Sequence, residues 1–167
     1  RDLVIEGIRQ CMEQAGVTSN TVVSAISGRA VIVKKIVMDK MSAQDAQEAI
    51  FWEAEQHVPF DIDDVCLDFQ ILKEDAGANQ MEVLLVAAKK DMVNNHASLI
   101  RDAGFASSII DVDSFAVQNC FEQGRGGTSA DSKRVVGLVN IGSDVTNINI
   151  IQDASPHFTR DISIGSN

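Results

Sequence analysis

The chain has 167 residues, is 45% apolar and carries a formal charge of −10, the composition of a protein that buries a core and folds. That acidic balance excludes phosphate backbones and anionic lipid surfaces as direct partners. No apolar run approaches the roughly 20 residues that a membrane-crossing helix needs.

Leu3, Val4, Ile8, Met12 and Ala15 recur at helical spacing, and Gly16 follows where a left-handed cap belongs. Arg1 already stands inside this pattern, without an initiator Met, and Asn167 follows directly on a strand-like run, so the sequence reads as an interior piece of a longer protein. Residues 21–27 and 30–37 are rich in Val and Ile and are separated by Gly28 and Arg29, which predicts two consecutive strands. Ser42 with Asp45 is an acidic capping box opening a helix whose stripe is Ala46, Ile50, Ala54 and His57, widened by Phe51 and Val58. Pro59 ends that helix.

Residues 65–72 and 81–88 predict strands joined as a hairpin around Gly77 and Asn79, and Met92, Val93, Ala97, Ile100 and Ala103 trace a helix capped by Gly104. The span 30–104 thereby reads as strand, helix, strand, strand, helix, a compact two-layer unit. Residues 107–112 form a further strand, and Asp113 or Ser114 is placed to cap a helix running to about Gln123. The small and polar residues of 125–133 read as a linker. Beyond them, residues 134–141, 145–151 and 157–164 form a β-meander that begins a second domain.

Asn140, Gly142, Ser143, Asp144 and Thr146 gather at the first turn of this meander. Such a turn can aim N–H groups at a phosphate, with a hydroxyl from Thr146 and a metal-bound water oriented by Asn140. An ordinary hairpin uses the same residue types. Asp111 and Asp113 could share a proton or a metal at their strand end, but capping explains Asp113 more simply. Glu48, Glu53 and Glu55 read as a solvated helix face. Cys11, Cys66 and Cys120 lack metal or disulfide spacing and are expected as buried thiols in a reducing compartment. His57, His96 and His157 are isolated, and no nucleophile motif accompanies them, so neither a catalytic nor a metal-ligating residue is assigned.

Residues 53–60 (EAEQHVPF) with Asp63, Asp64, Val65, Leu67, Asp68, Phe69 and Gln70 carry a family resemblance. So do residues 110–116 (IDVDSFA) with Gln118 and Asn119, residues 139–150, and residues 158–165 (FTRDISIG). Together they resemble the PilM family of type IV pilus assembly proteins, in the FtsA branch of the actin-like ATPase fold. The resemblance implies an α/β (α+β) fragment of that fold. Residues 1–28 and 105–124 would be parts of subdomain 1A, 29–104 the βαββα subdomain 1C, 125–133 a linker, and 134–167 the start of subdomain 2A with its phosphate hairpin.

By the same resemblance, Asn140, Gly142, Ser143, Asp144 and Thr146 contact nucleotide, with ATP, and magnesium as a candidate companion, held by the full-length parent alone. The other phosphate loop and the adenosine pocket match nothing here. Asn140 stands where such ATPases usually carry Asp, which weakens the case for magnesium-assisted hydrolysis. The family further implies a cytoplasmic scaffold at the inner membrane that reaches the membrane only through partners, contacts the pilus motor ATPases and assembles as a homo-oligomeric ring. It would bind the cytoplasmic tail of PilN in a groove bordered by Ser27, Gly28, Ala30, Val31, Phe105 and Ala106. Two other functions share the fold. A phosphotransferase needs a carboxylate facing a hydroxyl substrate, and a cell-division tether needs an amphipathic membrane helix.

Overall fold

The computed structural model describes residues 1–124, 135–152 and 155–167; the expected linker lies outside the described residues. In chain order the elements are α1 (Asp2–Gln14), β1 (Thr21–Ile26), β2 (Val31–Asp39), α2 (Ala43–His57), a 3-10 turn (Ile62–Asp64), β3 (Val65–Gly77), β4 (Gln80–Lys89) and α3 (Lys90–Asp102), then β5 (Ala106–Val112), α4 (Asp113–Gly124), β6 (Val135–Ile141), β7 (Thr146–Gln152) and β8 (Ser155–Ile162). The described strands form three sheets: parallel β1-β5, antiparallel β2-β4-β3 and antiparallel β6-β7-β8.

Local chemistry explains the boundaries. The Asp45 N–H donates to Ser42 Oγ at 3.1 Å, satisfying one of the donors that a helix start leaves orphaned. The chain turns extended at Val58, before Pro59. Between β3 and β4, Ala78 and Asn79 both adopt positive φ, 51° and 59°, the backbone of a tight turn that matches strand twist. α4 differs from expectation by taking in Asp113 as its first residue, where the carboxylate favours the helix dipole without being the cap.

Ala46 and Ala54, each 0% exposed, let α2 lie close on the β2-β4-β3 sheet. Beneath it pack Ile36, Met38, Met81, Val83, Leu85 and Ala87. Because side chains alternate along a strand, Glu82, Leu84, Val86 and Ala88 line the opposite face. Among the described residues nothing covers the flanks of that face, where Lys35, Val37, Cys66, Asp68 and Gln70 are exposed. The three cysteines are likewise exposed and free, which corrects the expectation of buried thiols. Cys66 falls on the strand face away from α2, and Cys11 and Cys120 occupy exposed positions of α1 and α4.

Glu82 is only 7% exposed and pairs with Lys35 and with Lys73, the latter at 3.5 Å. The hydrogen bond from Lys35 holds its carboxyl below the ordinary value of 4.5, against the opposing effect of burial. A depressed folded pKa makes this contribution complete above about pH 4.5, and the contribution is lost as pH falls through the lower folded value. Denaturant titrations from about pH 6 down to about pH 3 should therefore show wild type losing more stability than Glu82→Gln. Parallel pH profiles would contradict the assignment.

Candidate functional site

The β6-β7-β8 meander presents one face to α4, and the pairing register builds that face in rows. Asn140 pairs with Asn147 and Asn147 with Asp161; Leu138 pairs with Asn149 and Asn149 with Thr159; Val136 pairs with Ile151 and Ile151 with Pro156. Two of the three central side chains are thus amides, and both are buried, Asn147 at 4% and Asn149 at 2% exposure. Burying an amide is tolerable only when its donors and acceptor are matched, and the partners are present. Asn149 Nδ2 donates to Gln118 Oε1 at 3.1 Å and to the Ser114 carbonyl at 3.3 Å, while Thr159 Oγ1 donates to Asn149 Oδ1 at 3.2 Å. This row fastens the meander to α4.

The first row runs from the turn to a different part of the chain. Asn140 Nδ2 donates to Asn147 Oδ1 at 2.9 Å, and Asn147 Nδ2 donates to Asp161 Oδ1 at 2.8 Å. The other oxygen of Asp161 accepts the N–H of Gly28. Gly28 has φ 109°, a conformation that side-chain-bearing residues rarely adopt, and this conformation accompanies the aim of its N–H at the carboxylate. The turn residues and Gly28 are therefore joined by one continuous line of hydrogen bonds.

The turn itself is braced by the end of the chain. Gly142 N–H donates to the Val145 carbonyl at 2.9 Å, Ser166 N–H to the Gly142 carbonyl at 2.9 Å, and Thr146 Oγ1 to the Ile164 carbonyl at 2.7 Å. A Cβ on Gly165 would lie 2.0 Å from the Ser143 carbonyl oxygen, so only glycine fits against the turn. Asn140 and Thr146, expected to face ligand, instead spend their side-chain donors within the protein. Among the described residues no acceptor takes the N–H groups of Ser143 and Asp144, and both residues are exposed. These two donors suit an anion such as phosphate, although Asp144 brings its own negative charge beside them. At position 140 a magnesium ion would meet an amide and no carboxylate.

The six residues expected to meet a partner do not lie together. β1 and β5 run parallel, with Thr21 beside Ala106 and Ile26 beside Val112. Ser27 and Gly28 therefore stand beyond one end of this pair and Phe105 and Ala106 at the other, separated by more than the five residue steps, about 16 Å, from Thr21 to Ile26. Ala30 and Val31 begin β2 near the first end, where Lys89 N–H donates to the Ala30 carbonyl at 3.1 Å. Asn147, Asp161 and Gly165 were missed from sequence. The first had a readable signal in the alternation of Asn and Ile along TNINIIQ, whereas Asp161 and Gly165 gain their meaning only from tertiary contacts.

Across residues 1–167 the chain matches the family described as type IV pilus assembly protein PilM. Among solved structures it is similar to the PilM-PilN type IV pilus biogenesis complex, at 28% identity and a TM-score of 0.85, covering 98% of this chain and 48% of that one. It is also similar to the cytoplasmic domain of EpsL, an inner-membrane component of the type II secretion system of Vibrio cholerae, at 11% identity and a TM-score of 0.61, covering 95% and 56%; this second likeness concerns the fold alone. The chain spans about half the length of the structures it matches. It shares its mixed α/β architecture with these structures.

The bracing of the turn is open to direct test. Gly165→Ala should displace the turn, moving the amide resonances of Ser143 and Asp144, whereas Gly137→Ala, with open space around its Cβ, should leave them in place. Unmoved Ser143 and Asp144 resonances in Gly165→Ala would contradict the packing.

Proposed function

The chain belongs to the PilM family of type IV pilus assembly proteins, and from that premise we propose that its parent is a scaffold that binds the cytoplasmic tail of a PilN-type partner and links it to the pilus motor ATPases. The observation that carries this reading is the likeness, over nearly the whole chain, to a structure solved as a PilM-PilN complex. The geometry adds physical support. The face of β2-β4-β3 away from α2 carries exposed positions along β2 and β3 at Lys35, Val37, Cys66, Asp68 and Gln70, and the edges of this sheet can offer main-chain hydrogen bonds to an extended peptide. The crossings at Ser27, Gly28, Ala30 and Val31 and at Phe105 and Ala106 then mark the two ends of a route for an extended tail of five or more residues.

Nucleotide enters this reading as a ligand of the full-length parent. ATP would meet Ser143 and Asp144 through their backbone N–H groups, with Gly142 permitting the close turn and Asn140 and Thr146 holding it in shape. We assign no hydrolysis to these residues. The scaffold would work at the cytoplasmic face of the inner membrane, reaching lipid through its partners; no helix among the described residues is long and apolar enough to cross a membrane.

Photocrosslinkers at Ala30, Ala106 and, as a control on another sheet, Gln152 of the full-length parent test the route. A PilN-type tail peptide should label at Ala30 and Ala106 through residues well separated along the peptide, with Gln152 silent. Labelling at Gln152 alone, or at none of the three, would overturn the assignment.

A further inference from the structure

Helix α2 (Ala43–His57) turns Ala46, Ile50 and Ala54 into the core. At 3.6 residues per turn, Asp45, Glu48, Trp52 and Glu55 fall within roughly 80° on the opposite side, and all four are exposed. Trp52 is 70% exposed and its neighbour Phe51 43%. A single exposed apolar side chain is ordinary on a protein surface; the surroundings of this one are less so. The helix carries no Lys or Arg, and among the described residues no cation lies within ion-pair distance of Glu48 or Glu55. Nor does a described cation cover the indole, the described cation–π contact being Lys89 over Phe60.

We propose that this outer stripe of α2 docks a protein segment that presents arginine. A guanidinium stacks on the Trp52 indole, and Glu48 or Glu55, one turn away on either side, accepts its N–H groups. Phe51 supplies an apolar shelf for the stem of the side chain. Arginine suits the site better than lysine because its planar cation both stacks and forks onto a carboxylate. Charge complementarity selects this occupant. Nucleic acid and anionic lipid are repelled by the flanking carboxylates and by the net charge of −10. Tryptophan is also a residue type that dominates binding energy when an interface covers it.

The surface is separate from the tail route, because α2 covers one face of the β2-β4-β3 sheet and the route follows the other. A tail bound along its route leaves Trp52 in solvent, so failure of either proposal is visible without the other.

Trp52 is the single tryptophan of the chain, so its fluorescence reports on this site alone. The 167-residue chain is titrated with an acetylated, amidated helical peptide bearing arginines one turn apart among leucines. Parallel titrations use a version with glutamate for arginine and vesicles of phosphatidylglycerol. The arginine peptide should shift the emission to the blue and lower acrylamide quenching about twofold, as covering an exposed indole requires. The double variant Glu48→Lys/Glu55→Lys keeps the reporter and alters only exposed positions, and should bind the peptide at least about tenfold more weakly, with unchanged circular dichroism. No protection of Trp52 by the arginine peptide overturns the proposal. Equal protection in the double variant, by the glutamate peptide or by the vesicles overturns it as well.

Discussion

Asp161 is the joint on which the arrangement of this chain depends. Its carboxylate accepts from Asn147 on one side and from the Gly28 N–H on the other, so a single side chain ties the meander to the crossing between β1 and β2. Hydrogen bonds to a charged acceptor are stronger than those between neutral groups, and a half-buried carboxylate deprived of such donors is costly. The second amide row, from Asn149 to Ser114, Gln118 and Thr159, holds the same sheet against α4. The interface between the meander and the rest of the chain is thus specified by geometry-demanding polar contacts, which fix register where apolar contacts would tolerate sliding.

This construction places two candidate sites within reach of each other. The turn that offers the N–H groups of Ser143 and Asp144 is one strand position from Asn147, and Asn147 is one hydrogen bond from Asp161. An anion drawn onto the turn and a peptide lying against Gly28 would therefore act on the same line of side chains. Whether such ligands influence one another depends on how each biases that line, since coupling requires a differential interaction and not mere proximity. Phe105 and Ala106, at the far end of the proposed route, donate instead to the carbonyls of Ile100 and Asn20.

Much of the local structure was legible in the sequence, because local structure has local causes. Ser42 and Asp45 announce a helix start, Pro59 its end, and the residues around Gly77 and Asn79 a hairpin. The meander was legible for the same reason. Strand partners were not: the parallel pairing of β1 with β5 joins residues more than eighty positions apart, and the period of a strand carries no record of its neighbour. The inward direction of β7 was also hidden. A reading by hydrophobicity would bury Ile148 and Ile150, yet Asn147, Asn149 and Ile151 face the core side, because amide partners wait there on α4 and β8. Cys66 misled for a related reason, since a residue type that is usually buried follows its strand face and not its average. Within the candidate site, the turn was visible as Gly142 and Ser143, but the brace supplied by Gly165 exists only once the chain has folded back.

The central claim is that the Asp161 carboxylate joins the meander to the crossing at Gly28, and amide hydrogen exchange at Gly28 measures it most directly. In Asp161→Ala the Gly28 amide should exchange markedly faster than in wild type, while the amides of Val83 and Leu85, within the separate α2-covered sheet, keep their protection. Unchanged exchange at Gly28 would contradict the account.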